Sequence, residues 1–219
     1  MPPVNVQQQI VDGCKVFNDE YIELHSQQQQ IEMNILQLFN GAQEGAKYEY
    51  KLAIESDFEI GIGKRVVQSE LDDKGKMFVY SANVNEPVGK ITRESILDNF
   101  DMPSVLWGID GDWMVNFVDA KIPFYPTDHC GYIRVKNEKI NPEYFSMVLE
   151  KEGIMVGFDR TNRASIERIS ALVVKVPDIS IQNDIVSKCR KYKKEMSSIK
   201  EKKMKVLLKK EHVFDELIK

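Results

Sequence analysis

One segment occurs twice in this chain, and the two copies lie 175 residues apart. Pro2, Gln7, Ile10, Val11 and Cys14 in the first copy match Pro177, Gln182, Ile185, Val186 and Cys189 in the second. Each copy is a proline-led segment followed by a long stretch of helical periodicity. Whatever lies between them is held by two equivalent struts, and this limits the folds open to the chain.

Both struts carry a heptad seam, an apolar position alternately every four and three residues, which predicts long helices that pack on each other. In the first strut the seam is Ile10, Cys14, Phe17, Tyr21, Leu24, Gln28, Ile31, Ile35 and Leu38. In the second it is Ile185, Cys189, Tyr192, Met196, Ile199, Lys203, Val206, Lys210, Val213 and Leu217. The polar positions Gln28 and Lys203 are equivalent in the repeat, and polar seam residues fix register at some cost in stability. Asn5 and Ser180 are the expected helix caps, Pro3 suits a helix start, and Gly41 and Gly45 supply a stop. Leu207, Leu208, Phe214 and Ile218 suggest a second stripe near the end of the second helix. Some 130 residues separate the struts, so the expected arrangement is an antiparallel pair, within one chain or exchanged between two.

Charge supports pairing of the struts. Residues 1–46 carry net −5, residues 47–175 net −4 and residues 176–219 net +5. The total of −4 argues against a grip on nucleic acid built from charge alone. No apolar run is long enough to span a bilayer, so a cytoplasmic protein is expected. The three cysteines include no Cys-x-x-Cys pair, which disfavours a zinc site or a disulfide framework.

The region between the struts reads as mixed α and β. Expected strands are Lys64–Val67 and Met77–Tyr80, then Val105–Ile109 and Trp113–Val118 around Asp110-Gly111-Asp112, then Lys121–Tyr125 and Gly131–Val135. Asn141 caps an expected helix through Glu152, with Pro142 in its first turn. A short helix at Ala164–Arg168 precedes a strand at Ala171–Val176. The fold class is therefore α+β, a mixed domain carried on an antiparallel coiled coil. Its divisions are 1–46 (helix), 47–176 (domain) and 177–219 (helix).

Several patterns suggest catalysis and fail on their chemistry. Gly61-Ile62-Gly63-Lys64 lacks the glycine spacing and the Ser/Thr of a phosphate loop. The Glu-x-Lys triplets at Glu49 and Glu201 lack the further carboxylates that metal-dependent cleavage needs. Asp110 and Asp112 are explained by their turn. His129 and Cys130 point opposite ways on a strand, which makes a poor nucleophile-base pair; a loop presenting His129 to a ligand stays open, beside a structural histidine. A polar group remains: Arg65, Asn83, Asn85, Lys90, Arg93, Arg160, Asn162 and Arg163. Asn suits adenine edges, Arg guanine edges, and Lys phosphates.

The doubled Pro-x-x-x-x-Gln-x-x-Ile-Val segment, each copy opening a long helix around an αβ domain, resembles the DNA specificity subunit of Type I restriction-modification systems. Gly63-Lys64-Arg65-Val66, Val79-Tyr80-Ser81-Ala82-Asn83, Trp107-Gly108-Ile109-Asp110-Gly111 and Thr127-Asp128-His129-Cys130-Gly131 resemble segments of their target recognition domains. The resemblance implies a non-catalytic subunit without a cofactor of its own. Such a subunit reads double-stranded DNA with two recognition domains, one per half of a split target. Its helices act as a spacer. It assembles with methyltransferase (M) subunits, which methylate adenine using S-adenosylmethionine, and with a restriction (R) subunit.

This chain departs from that pattern by having both helices and one recognition domain. The expected explanations are the second half of a full subunit, a half-length subunit that forms a homodimer through its helices, or an engineered fragment. Two other readings stand beside it: the recognition region of a single-chain Type II restriction-methyltransferase, and a coiled-coil scaffold with no DNA role. Under the first reading the eight polar residues above lie at the DNA surface.

Overall fold

The computed structural model describes the backbone of residues 3–218 and the side chains of residues 3–212. Pro2 of the repeat, and the side chains of Val213, Phe214, Leu217 and Ile218, lie outside the described residues. The element order is α1 (Val4–Glu44), β1 (Tyr48–Lys51), β2 (Phe58–Ile62), β3 (Met77–Tyr80), β4 (Gly89–Ile91), β5 (Ser104–Gly108), β6 (Val115–Val118), β7 (Phe124–Pro126), β8 (Cys130–Val135), α2 (Pro142–Val156), α3 (Ile166–Ser170), β9 (Val173–Val176) and α4 (Ile179–Ile218). Two compact units result, Met1–Gly41 with Ile185–Lys219, and Ala42–Asp184. No described helix is long and apolar enough to cross a membrane.

In the first unit α1 and α4 run antiparallel within one chain. Every seam position with a described side chain is buried or half-buried. Leu24, Ile31, Ile199 and Val206 form the buried centre, flanked by Phe17, Tyr21, Ile35, Tyr192 and Met196. Lys203 Nζ donates to Gln28 Oε1 at 3.1 Å and stands 4.8 Å from the Tyr21 ring centroid. The two repeat-equivalent polar positions thus meet each other, which places the local two-fold of the helix pair between them. Lys210 Nζ donates to Asn18 Oδ1 at 3.0 Å further along the pair. Leu207 and Leu208, expected to form a second stripe, are exposed.

The helix starts correct the expected caps. The carbonyl of Pro3 accepts from the N–H groups of Val6 and Gln7, and that of Asp178 from Ile181 and Gln182. Pro3 and Asp178 are equivalent in the repeat, so both copies begin the helix at the same place. Asn5 and Ser180 lie inside the first turn and are not caps. At its other end α1 runs through Gly41 and stops at Glu44, where Gly45 follows.

The second unit contains three sheets. One has the order β2-β8-β5-β6 and is antiparallel throughout. Another has the order β4-β3-β7, with β3 and β7 parallel. The third is the pair β1-β9, which joins the two ends of the domain. In this pair Glu49 opposes Lys175, and their side chains make an ion pair at 2.9 Å. The first Glu-x-Lys triplet is therefore one exposed face of a short strand. Val84, Leu97, Leu106, Val118, Phe124 and Cys130 form one buried cluster, and Met77, Val79, Ile91 and Tyr125 another.

The helix α2 follows its sequence signals. The Asn141 side-chain oxygen Oδ1 accepts from the N–H groups of Glu143 and Tyr144 at 2.9 and 3.0 Å, with Pro142 at the first position. The helix continues four residues past Glu152 and ends at Gly157, whose φ of 74° is left-handed. The short helix begins later than expected, because the Ser165 hydroxyl caps it. Lys64–Val67 is not a strand. The strand is the preceding Phe58–Ile62, and after Gly63 the chain leaves the sheet, with Lys64 N–H donating to the Pro126 carbonyl instead.

Candidate nucleic-acid interface

Four loops of the second unit meet at one cleft. They are the segment after β3, the β5–β6 turn, the β7–β8 turn and the segment between α2 and α3. The first crosses close to β5: a side chain at Gly108 would collide with the Ala82 carbonyl, so only glycine fits. Asn116 Nδ2 donates to the Val84 carbonyl at 2.7 Å and fastens the same loop. Within it, Asn83 Oδ1 accepts from the Asn85 N–H at 3.0 Å, an Asx turn.

The β7–β8 turn is tied to that loop and to the β5–β6 turn. Thr127 N–H donates to the Tyr80 carbonyl at 2.8 Å, and Thr127 Oγ1 to Ser81 Oγ at 3.2 Å. Ile109 N–H donates to the His129 carbonyl at 3.0 Å. The His129 ring nitrogen Nδ1 lies 2.9 Å from both oxygens of Asp110. Asp110 and His129 are 19 residues apart in the chain and are brought together by the adjacent strands β5 and β8.

The fourth loop stands on aromatic packing. Phe158 lies against Trp113 with ring centroids 5.1 Å apart, and Trp113 Nε1 donates to the Glu150 carbonyl at 2.8 Å. Gly153 is required where the indole crosses α2, since a Cβ there would meet the ring. The Asp159 carboxylate accepts from Thr161 N–H, Thr161 Oγ1 and Asn162 N–H, each at 2.7 Å, and these bonds hold its pKa below the ordinary value. Ala164 N–H donates to the Ile109 carbonyl, and Trp107 Nε1 to the Ala164 carbonyl, which ties the loop to β5.

The resulting cleft, of about 460 Å³, is lined by Ser81, Ala82, Asp110, Gly111, His129, Arg160 and Arg163. Arg160 Nε stands 3.7 Å from Asp112, with both side chains largely exposed. Such a pair is worth little in water and leaves the guanidinium available to another anion. A second, more polar cleft is lined by Lys64, Arg93, Tyr125 and Tyr132 among others. There Arg93 donates to the Arg65 carbonyl at 3.1 Å, pairs with Glu70 at 3.3 Å and stands 5.5 Å from the Tyr125 ring centroid.

The structure therefore groups the eight residues chosen from the sequence unevenly. Arg160 and Arg163 line the first cleft, and Asn83 and Asn85 are exposed on a loop that borders it. Arg93 lines the second, where Arg65 contributes its carbonyl and keeps an exposed side chain. Lys90 lies apart from both, 5.2 Å from the centre of the Phe78 ring. Asn162 is occupied internally. Its Nδ2 donates to the carbonyls of Val156 and Gly157, and its Oδ1 accepts from Arg168. Sequence reasoning left Ser81 and Lys64 out of that set, and explained Asp110 by its turn alone. The local signal for Asp110 and His129 was visible, but their pairing depends on strand order.

Cys130 is buried beside His129 with its thiol directed at the Gly131 carbonyl, and burial pushes its pKa far above the usual thiol range. Ser81 Oγ accepts from Thr127 Oγ1 at 3.2 Å. Among the described residues no group of three or more His, Cys, Asp or Glu side chains converges as a metal site.

A family model described as the Type I restriction modification DNA specificity domain matches residues 53–209. Comparison with curated protein sequences gives no match. Among solved structures, the chain is similar to the S subunit of a Type I restriction-modification system from M. genitalium. The two share 16% identity with a TM-score of 0.61, over 97% of this chain and 60% of that one. It is also similar to the HsdS subunit from Thermoanaerobacter tengcongensis, at 12% identity and TM-score 0.62, over 99% of this chain and 59% of that one. A third likeness, at 11% identity and TM-score 0.64, covers 99% of this chain and 60% of a chain from a study of complex assembly and conformational transition of the type I R-M system. At these identities the likeness is one of fold. The chain spans about 60% of the length of the structures it matches.

Proposed function

Since the chain belongs to the family of Type I restriction modification DNA specificity domains, we propose that its second unit reads one half of a split DNA target for a partner adenine methyltransferase. The observation that carries this reading is the convergence of four loops on a cleft with Arg160 and Arg163 at its rim. The loops are braced by buried aromatic side chains and backbone hydrogen bonds, so the cleft is formed in advance of binding. Preorganised side chains on a rigid scaffold lose little entropy when they meet a base edge. The paired helices then act as a spacer between this half-site reader and a second one.

The chain's role in this reading is recognition, and the chemistry belongs to its partners. Methyltransferase subunits supply the S-adenosylmethionine-dependent step, and a restriction subunit cleaves unmodified DNA, in the cytoplasm where both meet the chromosome. The net charge of −4 fits this division, because partners must then supply much of the phosphate grip. Phosphate neutralisation provides most non-specific affinity and makes binding fall steeply with salt. The chain alone should therefore bind DNA weakly and with strong salt dependence, and Arg163→Ala in the assembled enzyme should weaken target binding roughly tenfold. Titrations of labelled duplex at several salt concentrations measure both. Tight, salt-insensitive binding by the chain alone would contradict the division of labour, and an unchanged affinity for Arg163→Ala would move the interface away from this cleft.

A further inference from the structure

The structure assigns His129 a specificity-determining role: it reads an exocyclic amino group on a DNA base, and Asp110 sets the sense of that hydrogen bond. This rests on the reading that the four-loop cleft faces DNA, and extends it to one side chain and one class of base.

A carboxylate can only accept hydrogen bonds, so the Nδ1 that sits 2.9 Å from both Asp110 oxygens carries the proton. A neutral ring then has a bare Nε2 on its opposite edge. That atom lies 3.9 Å from Asp128 Oδ1, beyond hydrogen-bond distance. The ring lines the cleft together with Ser81, Arg160 and Arg163, and its side chain is 52% exposed. In the neutral ring Nε2 is therefore an acceptor, with the Asp128 carboxylate to one side and Ser81, Arg160 and Arg163 lining the same cleft. In the major groove adenine N6 and cytosine N4 are the amino donors, whereas guanine and thymine offer acceptors at the corresponding places. An acceptor held here favours adenine or cytosine at one position of the half-site, and the neighbouring arginines suit guanine or phosphate.

A pin between two turns is the competing role for this pair. The backbone already supplies that pin, since Ile109 N–H bonds the His129 carbonyl at 3.0 Å, and within its own turn His129 N–H bonds Thr127 Oγ1 at 3.2 Å. Asp110 is in this account a positioning residue. The amide of Asp110→Asn can either accept from Nδ1 or donate to it, so the ring is released to present Nε2 as acceptor or donor.

The test uses the assembled complex of this chain with its methyltransferase subunits and selects bound duplexes from a library randomised across the half-site. His129→Ala should abolish the preference for adenine or cytosine at one position, a change of roughly tenfold in selection there. Asp110→Asn should relax the same position and admit guanine or thymine. Neither variant should shift the thermal unfolding midpoint appreciably, nor change preference elsewhere. Lower binding at every position alike, or a fall in thermal stability without a positional change, would show a structural pin and overturn the proposal. If both variants select as the parent does while Arg163→Ala loses binding, this role of His129 fails and the DNA-facing cleft stands. If Arg163→Ala also binds as the parent does, the cleft itself is misplaced and the proposal falls with it.

Discussion

Gln182 is fully buried, and its side-chain amide makes three hydrogen bonds. Its Oε1 accepts from the Asn141 N–H at 2.8 Å, while Nε2 donates to the carbonyls of Lys139 and Pro177 at 2.9 and 2.8 Å. One side chain thus clamps the start of α4 to the segment that caps α2. Gln182 is also one of the residues shared by both copies of the repeat, so its recurrence has a physical reason in the second copy. Leaving a buried donor and two carbonyls without partners costs about 2 kcal/mol, so Gln182→Ala should lower stability by that amount in a urea titration. No change would mean that water replaces the amide without penalty. The sequence marked Gln182 as a repeated residue but not as a clamp, because two of its three partners come from a loop about 40 residues earlier. Asn162 shows the opposite case: its type suited base reading, yet its amide is spent on holding its own loop. Residue type is legible locally, whereas whether its donors are free depends on neighbours brought in by the fold.

At the scale of elements, the long helices were readable because their signal repeats many times within each helix. The seam from Ile10 to Lys210 is buried or half-buried at every described position, and the shared polar step appears as the Lys203–Gln28 contact. Cap chemistry was misread by two residues in both copies, since the carbonyls of Pro3 and Asp178 start the helices before Asn5 and Ser180 are reached. Short strands were harder. Three-residue β4 has no period to detect, and β1 is defined by β9, which pairs with it from the far end of the domain. For the seam, replacing both Gln28 and Lys203 with leucine should raise stability by about 1 kcal/mol, as exchange of part-buried polar pairs for apolar packing often does. The same change should weaken the fix on register and allow other oligomers. Thermal unfolding with analytical ultracentrifugation measures both effects. A lower midpoint would show that the polar step contributes net stability.

At the scale of the whole molecule, the chain divides into a compact αβ unit, 42–184, and a helix pair formed by the segments on either side of it. The division follows from the repeat, which brackets the domain, and from the β1-β9 pair, which closes it. That closure makes the domain a natural module: its entry and exit strands lie side by side, so a related domain can replace it without disturbing the seam. The central claim is that this module determines which DNA sequence a partner methyltransferase modifies. The most direct measurement is base-resolved sequencing of methylated adenine in cells where residues 47–176 are exchanged for the matching domain of a relative with a different target. The account predicts that the part of the methylated sequence read by this module changes to that of the donor. An unchanged methylation pattern, from an exchanged chain that is stable and assembled, would contradict it.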